Sequence, residues 1–305
     1  MSASTPLLNE IESTVERMVR EQGPAVVGVG RGRRIGTGAV VAPGRVLTAA
    51  HVAGDDVSVT FDDGRVEAGE AIAADRELGI VVLAVETGDV DPLQWAPADA
   101  VGVGAAVVAL GNPGGRGLRA TLGFVAAAGR GLRGPQGRRV AGALEHTALL
   151  PKGSSGAPLL DVSGRLVGVN LLRLDGGLIV ALGVAGELRE AVERLASGEQ
   201  PSRPRLGVAV APPRVARRMR RAVGLPARDG LLVRAVEEGS PAARSGIERG
   251  DLIVAAAGQP LEDVDALHGA LDQASGNGGA KDLALTLVRG TEERELNIEL
   301  EGSTR

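Results

Sequence analysis

The sequence of 305 residues has no cysteine and no tyrosine, and only one tryptophan and two phenylalanines. The lack of cysteine excludes a disulfide framework, a thiol nucleophile and a thiolate metal site. With so few aromatic rings, the core must be built from aliphatic side chains, and single-stranded nucleic acid finds little to stack on. The length and the 44% hydrophobic content suit two globular domains better than one.

Neither sign of charge dominates the sequence, because the formal net charge is only −4. No general attraction to nucleic acid or to acidic membranes is expected from this balance, so no nucleic-acid partner is predicted. The single dense basic run, RVARRMRR at residues 214–221, is interpreted as the solvated face of a helix.

Long apolar runs are missing as well, since the longest, LIVALGVAG, is too short to span a bilayer. The N-terminal run PLLNEIESTVERMVREQ carries charges throughout, and its apolar residues recur at helical spacing. It lacks the uninterrupted apolar segment of a signal peptide. We therefore expect an amphipathic helix within residues 1–22 and a cytoplasmic protein without a membrane span.

The rest of the chain divides by pattern into two parts. Short runs of valine, leucine and alanine, separated by glycine, proline and aspartate, fill residues 23–198 and predict a β-barrel or β-sandwich domain. A helix, AGELREAVERLASG, closes this segment. Two prolines in EQPSRPR mark residues 199–204 as a linker. Residues 205–302 mix strands with two helical stretches and predict a second, α+β domain.

The stretch GSSGAPLLD, residues 153–161, places Ser155 among small residues. A serine hydroxyl becomes nucleophilic when a neighbouring base, usually histidine, takes its proton. His51, in VLTAAHVAG, follows a strand-like run and suits a base presented at the rim of a barrel. His146 is interpreted as a packed or half-exposed strand residue, and His268 as a surface residue of a helix.

Glycines and other small residues around Ser155 meet a second requirement of acyl transfer. A tetrahedral oxyanion needs backbone N–H donors that the substrate can approach closely. Residues 153–155 can present two such donors, and Gly156 with Ala157 is expected to leave room for substrate.

The run GTGAVVAPGRVLTAAHV, followed by GSSGAPLLD, resembles the chymotrypsin-fold proteases, specifically their HtrA (Deg) branch. The run GSPAARSGIERGDLIVAAAGQPLEDVDAL resembles the PDZ domain that follows the protease domain in that branch. The segments ALGNPGG and RATLGFVAAAGR also match the family, in the same order. The resemblance implies a mostly β fold, a chymotrypsin-like double β-barrel followed by an α+β PDZ domain.

The resemblance also implies catalytic roles. His51 is then the general base, Ser155 the nucleophile, and the N–H groups of Gly153 and Ser155 the oxyanion hole. The implied activity is that of a serine endopeptidase that cleaves unfolded or tagged polypeptides through an acyl-enzyme, without a metal or organic cofactor. The family is commonly trimeric, so a homo-oligomer is a further possibility.

Substrate contacts follow from the same family pattern. Leu149 and Leu150 stand where such enzymes place the floor of the specificity pocket, which predicts an apolar P1 residue, the residue before the cut. Asn170 is expected on the strand that pairs with the substrate. Leu206, Gly207 and Val208 are the candidate loop for binding the carboxylate of a peptide C-terminus.

The third catalytic residue departs from the family pattern. The family has an aspartate followed by an apolar strand, and aligning AADRELGIVVLAVETG without gaps puts Gly79 at that position. A shift of two residues offers Glu77 and a further two Asp75, and even shifts preserve the two faces of a strand. Both acids can equally be turn charges. The alternative hypothesis is therefore a degenerate protease that serves as a PDZ-mediated polypeptide-binding or chaperone-like module.

Overall fold

The computed structural model describes residues 5–31, 34–54, 57–133, 139–173, 177–199, 201, 204–276 and 282–300. Contacts between Cα atoms divide the chain into two compact units, Met1–Gln200 and Pro201–Arg305. No helix in these ranges is both long enough and apolar enough to cross a membrane.

The first unit contains two closed antiparallel barrels. In the first barrel the described strands follow the order β1-β2-β3-β6-β5-β4. They are β1 (Val26–Arg31), β2 (Arg34–Ala42), β3 (Arg45–Ala49), β4 (Val57–Thr60), β5 (Val66–Asp75) and β6 (Ile80–Ala84). In the second barrel the order is β10-β11-β12-β9-β8-β7. Its strands are β7 (Ala106–Gly111), β8 (Arg119–Arg133), β9 (Arg139–His146), β10 (Pro158–Asp161), β11 (Leu166–Arg173) and β12 (Ile179–Gly183). The expected double β-barrel is confirmed.

Two helices flank the barrels, α1 (Thr5–Gln22) and α2 (Leu188–Ala196), and short 3₁₀ turns occupy Gly23–Ala25 and Pro113–Gly115. The N-terminal run forms α1, whose Met18 is fully buried while Leu7 and Leu8 are exposed.

The core of the first unit is aliphatic, as the scarcity of aromatic residues requires. Fully buried leucines from both barrels belong to one cluster, among them Leu47 and Leu83 from the first barrel and Leu110 and Leu159 from the second. The valine-rich strands keep their branched side chains inside, where they pack well on a pleated surface.

The second unit is an antiparallel sheet with three helices among its described residues. Its sheet order is β13-β14-β15-β17-β18, so β13 lies at an edge, and β16 pairs with β15. The elements are β13 (Val208–Ala211), α3 (Pro213–Ala222), β14 (Leu231–Val236), α4 (Pro241–Arg244), β15 (Leu252–Ala256), β16 (Gln259–Pro260), α5 (Val264–Gly276), β17 (Asp282–Arg289) and β18 (Glu292–Glu299). The side chain of Ser240 accepts the N–H of Ala243 and caps α4.

The basic run on α3 is not solvated along its whole length, which corrects the sequence interpretation. Arg220 is only 3% exposed. Its guanidinium donates to the carbonyl oxygens of Pro226 and Gly290, so it ties the helix to two neighbouring turns. The physical reason is that a long arginine side chain can bury its stem and pair part of its head group, here Nε and Nη2, with main-chain acceptors, while Nη1 has no partner among the described atoms.

Candidate active site

Ser155 lies in the loop between β9 and β10 of the second barrel, and β2 of the first barrel holds the main chain of this loop. The N–H of Thr37 donates to the carbonyl oxygen of Ser155 at 3.0 Å. The hydroxyl of Thr37 donates to the carbonyl oxygen of Gly153 at 3.4 Å and accepts the N–H of Asn112 at 3.0 Å. Thr37 is fully buried, so these bonds are shielded from water. Sequence reasoning did not single out Thr37, although it stands inside the GTG motif.

Gly156 brings the loop against the strand that leads to the histidine. It has a φ of +88°, and a Cβ at this position would stand 2.2 Å from the oxygen of Thr37 and 2.8 Å from the nitrogen of Ala49. No side chain fits in this space. The glycine was expected to leave room for substrate, but its burial against β2 and β3 shows that it serves the contact between the two barrels instead.

His51 follows the end of β3 and has an exposed side chain. Its segment meets that of Ser155 at Gly36, where a Cβ would stand 2.6 Å from Val52 Cγ2 and 3.0 Å from the oxygen of Ser155. The structure therefore brings together the two motifs that the sequence paired across about one hundred residues.

The electrostatic surroundings of His51 favour its neutral form. Partial burial, and secondly the positive charge of Arg34, lower the pKa of His51 from its ordinary value of 6.5. A neutral imidazole at neutral pH can accept a proton. Among the described residues, no hydrogen bond joins the imidazole to Ser155. Catalytic hydrogen bonds often tighten only when substrate is bound.

The candidate acids lie in the turn between β5 and β6. Asp75 is 2% exposed, and its Oδ1 accepts the N–H groups of Glu77 and Leu78, both at 3.0 Å. Asp75 therefore stabilises this turn through Oδ1, which agrees with the interpretation of Asp75 as a turn charge.

Gly79 is the turn residue that lies against the histidine segment. Its carbonyl oxygen accepts the N–H of Ala50 at 2.8 Å, one residue before His51. A Cβ built on Gly79 would stand 4.0 Å from Leu171 Cδ1. Gly79, whose main chain contacts the histidine segment, thus has no carboxylate, and its neighbour Leu171 is aliphatic.

Two backbone donors are available beside the Ser155 hydroxyl. The N–H groups of Gly153 and Ser155 donate to none of the described residues. The turn that presents them is packed against Ile35, since a Cβ on Gly153 would stand 2.9 Å from Ile35 Cδ1. Such fixed and unpaired donors can receive a developing negative charge without reorganising.

A cavity of about 290 Å³ opens beside Ser155. It is lined by residues 150–155, Asn170, Leu171, Arg173 and Ile179. Leu150 lines this cavity as expected, whereas Leu149 is 45% exposed and is not among the lining residues. The extended segment after β9 alternates between outward and inward positions, and this alternation turns Leu149 to solvent.

Asn170 is one of the residues that line the cavity, and its main chain is already paired within the protein. Its N–H donates to Ala157 at 2.8 Å, and its carbonyl oxygen accepts the N–H of Gly156 at 2.7 Å. Asn170 lies on β11, the strand that is expected to pair with the substrate.

His146 is fully buried and forms part of this site, which sequence reasoning missed. Its Nε2 lies 2.7 Å from Asn170 Oδ1, and its Nδ1 accepts the N–H of Ala148 at 3.2 Å. The sequence gives no sign of this pair, because the two residues lie on different strands, β9 and β11, with β12 between them. On β12, Ile179 stands opposite His146 and Ala181 opposite Asn170, so both partners project from one face.

The candidate carboxylate loop of the second unit also presents unused donors. The N–H groups of Leu206 and Gly207 have no acceptor among the described residues. Gly207 has a φ of +78°, and a Cβ on it would stand 2.2 Å from Ser240 Cβ. The loop leads directly into the edge strand β13, which begins at Val208.

The described part of the chain contains no group of three histidine, cysteine, aspartate or glutamate residues placed to hold a metal ion. The serine, the neutral histidine and the unpaired N–H donors are instead the parts used in acyl transfer. The fold and this site together define a trypsin-like serine protease.

Comparison with known proteins identifies the branch. Residues 36–169 match the family model of the trypsin-like peptidase domain, and residues 232–277 match that of the PDZ domain. "Putative serine protease HhoA" of Synechocystis sp. is 32% identical over 270 residues, which cover 84% of this chain and 67% of the relative. The chain belongs to the HtrA-type serine proteases with a PDZ domain.

Other relatives are longer. "Probable periplasmic serine endoprotease DegP-like" of Halomonas elongata is 29% identical over 281 residues, which cover 87% of this chain but 56% of the relative. The chain thus spans little more than half the length of this relative.

The solved structures have lower sequence identities to this chain than these relatives, so they support the fold alone. "HtrA-type protease AlgW with decapeptide" has a TM-score of 0.69 at 21% identity and covers 95% of this chain and 99% of its own. The serine endoprotease from Yersinia pestis has a TM-score of 0.67 at 23% identity and covers 95% and 98%.

Proposed function

We propose that this chain is a serine endopeptidase that cleaves unfolded or tagged polypeptides through an acyl-enzyme at Ser155. His51 accepts the proton of Ser155 Oγ while Oγ attacks the scissile carbonyl carbon, and His51 then gives the proton to the leaving amine. Water, deprotonated by His51, hydrolyses the ester and regenerates Ser155. The N–H groups of Gly153 and Ser155 stabilise the oxyanion of each tetrahedral intermediate. The observation that carries this proposal is the convergence of the two segments at Gly36.

The acid position is altered in this proposal, with Gly79 in the place of the family aspartate. The register of β6 supports this choice, since Ile80 is paired with Ala49 and the preceding Gly79 contacts Ala50. The pKa of His51 points the same way, because burial and Arg34 lower it. His51 then acts as base without a bound carboxylate. Turnover is expected to be slow, since removal of the acid in a protease of this kind lowers it about ten-thousandfold.

Labelling with a fluorophosphonate probe tests both parts of the proposal. The unaltered chain is expected to be labelled, Ser155→Ala to be unlabelled, and Ser163→Ala, on an exposed turn, to behave like the unaltered chain. Glu77→Gln is expected to keep its labelling rate. A tenfold or greater loss of labelling rate in Glu77→Gln would instead make Glu77 the catalytic acid. Each factor of ten corresponds to about 1.4 kcal/mol of activation free energy. A folded but unlabelled chain would favour the polypeptide-binding module.

The second unit is proposed to bind peptide C-termini by β-strand addition. The unused N–H groups of Leu206 and Gly207 support a carboxylate site, and the edge strand β13 offers main-chain partners for the peptide. AlgW, a structural neighbour, was solved with a decapeptide.

The P1 residue is proposed to be apolar. Leu150 and Ile179, both buried, line the cavity beside Ser155 and can pack against an apolar side chain. No aspartate or glutamate lies among the described lining residues, so lysine and arginine are disfavoured.

The compartment is proposed to lie outside the cytoplasm, contrary to the expectation from the sequence. The support is that several relatives carry the word periplasmic in their names. Cell fractionation followed by protease protection of the full-length gene product would test this proposal. If the protein in intact cells resists added protease in the same way as cytoplasmic marker proteins do, the expected cytoplasmic location would be restored.

A further inference from the structure

We propose that Arg34 directs cleavage to bonds that are followed by an acidic residue, at one of the first two positions after the cut, P1′ or P2′. The carboxylate of this residue pairs with the guanidinium of Arg34 and speeds the formation of the acyl-enzyme. The inference rests on the proposed protease function and adds a second feature to its substrates. The apolar preference at P1 is unchanged.

Arg34 projects from the face of β2 that meets the histidine segment. A Cβ on Gly36 would stand 2.6 Å from Val52 Cγ2, so this face of β2 lies against the residue that follows His51. Side chains alternate along a strand, and the pairing of β2 with β1 is regular over residues 34–39. Arg34 and Gly36 therefore share one face, and Arg34 stands at its exposed end.

The peptide unit between Ser155 and Gly156 shows on which side of the serine loop β2 lies. Its carbonyl oxygen accepts the N–H of Thr37 on β2, and its N–H donates to the carbonyl oxygen of Asn170 on β11. The C=O and N–H groups of a trans peptide unit point in opposite directions. The strands β2 and β11 therefore flank the serine loop from opposite sides.

These two sides assign the two ends of the substrate. Residues before the cut are expected along β11, with the P1 side chain in the cavity that Leu171 and Arg173 of β11 help to line. The leaving residues then extend from Ser155 toward β2, and the leaving amine takes its proton from His51. Because Arg34 stands on this side, it meets the residues that follow the cut.

Arg34 has no carboxylate partner in the described part of the chain. Other arginines of the first barrel are held by the protein itself. Arg65 forms an ion pair with Glu67, and Arg45 donates to the carbonyl oxygen of Ala196. A substrate carboxylate that reaches Arg34 therefore competes with none of the described acids.

The pairing also affects the rate, because the charge of Arg34 acts on His51. Arg34 lowers the pKa of His51, so it opposes the imidazolium that forms when Ser155 gives up its proton. A substrate carboxylate on Arg34 offsets this opposition and attracts the imidazolium. With Gly79 at the position of the family aspartate, the substrate thus carries out part of the role of the missing acid. An interaction that strengthens in the transition state raises kcat as well as kcat/KM.

The test compares quenched fluorescent peptides that have leucine at P1 and carry glutamate, glutamine or lysine at P1′ or at P2′. Their C-termini are amidated so that the second unit cannot bind them as carboxylates. At one of the two positions we expect glutamate to raise kcat/KM about threefold over glutamine, mainly through kcat, as for an exposed ion pair. Successive side chains of an extended peptide point to opposite sides, so the other position should respond less. Lysine should be cleaved slowest, and added salt should reduce the differences.

Three variants test whether the preference belongs to Arg34, which is exposed, so that its replacement is expected to leave the fold intact. Arg34→Gln is expected to cleave the glutamate and glutamine peptides at nearly equal rates. Arg34→Glu is expected to cleave the lysine peptide fastest. Arg20→Gln removes an exposed arginine from α1 instead, and it should keep the preference of the unaltered chain.

Equal cleavage of the three peptides at both positions by the unaltered chain would overturn the inference and leave the protease proposal intact. A preference for glutamate that persists in Arg34→Gln would also overturn it, and a gain confined to KM would reject the effect on the rate.

If no peptide is cleaved, the protease proposal fails, and binding of the same peptides to Ser155→Ala is measured by fluorescence polarisation, with and without Arg34→Gln. An affinity order of glutamate, glutamine, lysine that Arg34→Gln abolishes would still support the pairing with Arg34. A flat order would reject it.

Discussion

Thr37 and Ser155 are joined by a hydrogen bond of 3.0 Å that runs from the first barrel to the second. The Thr37 hydroxyl supports the same junction through Asn112 and Gly153. Thr37→Val keeps the shape of the side chain but leaves the buried N–H of Asn112 without its acceptor. We expect about 1–3 kcal/mol less stability and a lower kcat. Urea unfolding followed by the fluorescence of Trp95 measures the first effect, since Trp95 is the single tryptophan.

Thr37→Ser is the matched control, because it retains the hydroxyl. It is expected to keep most of the stability and of the labelling rate at Ser155. Equal losses in Thr37→Ser and Thr37→Val would show that the hydroxyl has no part in the junction.

Gly156→Ala is expected to disrupt the first unit. The new methyl group would overlap the oxygen of Thr37, 2.2 Å away, and the residue would also keep a left-handed backbone. Gly64→Ala is the control, with a φ of +85° and no atom within 4 Å. Its free energy of unfolding should fall by only about 1–2 kcal/mol, which is the cost of the left-handed backbone conformation alone. Similar unfolding curves for the two variants would contradict the proposed contact.

Arg34→Gln is expected to raise the pKa of His51, because the cation of Arg34 lowers it. Activity needs the neutral imidazole, so the acidic limb of kcat/KM against pH should move upward. The displacement is expected to be small, because Arg34 is exposed to solvent. High salt should move the limb of the unaltered chain in the same direction. A downward displacement would be inconsistent with this account.

His146 makes the first unit less stable in acid. Its pKa is lowered in the folded state, so the unfolded chain binds more protons as the pH falls through 6.5. The free energy of unfolding should therefore decrease below that pH, by at most about 1.4 kcal/mol per pH unit for one proton.

His146→Gln removes this titration. The difference between the two unfolding curves, measured from pH 7 to pH 5, isolates His146 from His51, whose shift has the same sign. Parallel curves would show that His146 does not titrate in this range.

Gly207→Ala is expected to abolish binding of peptide C-termini by the second unit, because a Cβ there would strike Ser240 at 2.2 Å. Gly224→Ala has a similar φ of +76° with open space around it and serves as the control. Fluorescence polarisation with a labelled apolar peptide checks the result. An amidated copy of the peptide should bind weakly in every variant, since it lacks the carboxylate.

The sequence predicted those features that depend on local pattern. Short aliphatic strands and turn signals predicted a barrel or a sandwich, and the motifs around His51 and Ser155 are each contiguous. The double barrel and the pairing of the two motifs were implied by the family resemblance, and in the structure their segments meet at Gly36.

Features that depend on strand pairing could not be predicted. The bond between His146 and Asn170 needs the register of three strands, which no local pattern specifies. The burial of Arg220 depends on two turns distant in sequence, at Pro226 and Gly290. Leu149 and Leu150 were predicted together, and only the alternation of the extended chain separates them.

The main-chain contact at Gly156 makes the catalytic centre depend on how the two barrels are placed against each other. A small rotation of one barrel against the other would move Ser155 away from His51 while every strand remained paired. Heat would then silence the enzyme at a temperature where its circular dichroism is unchanged, and cooling would restore it, since neither barrel has to refold.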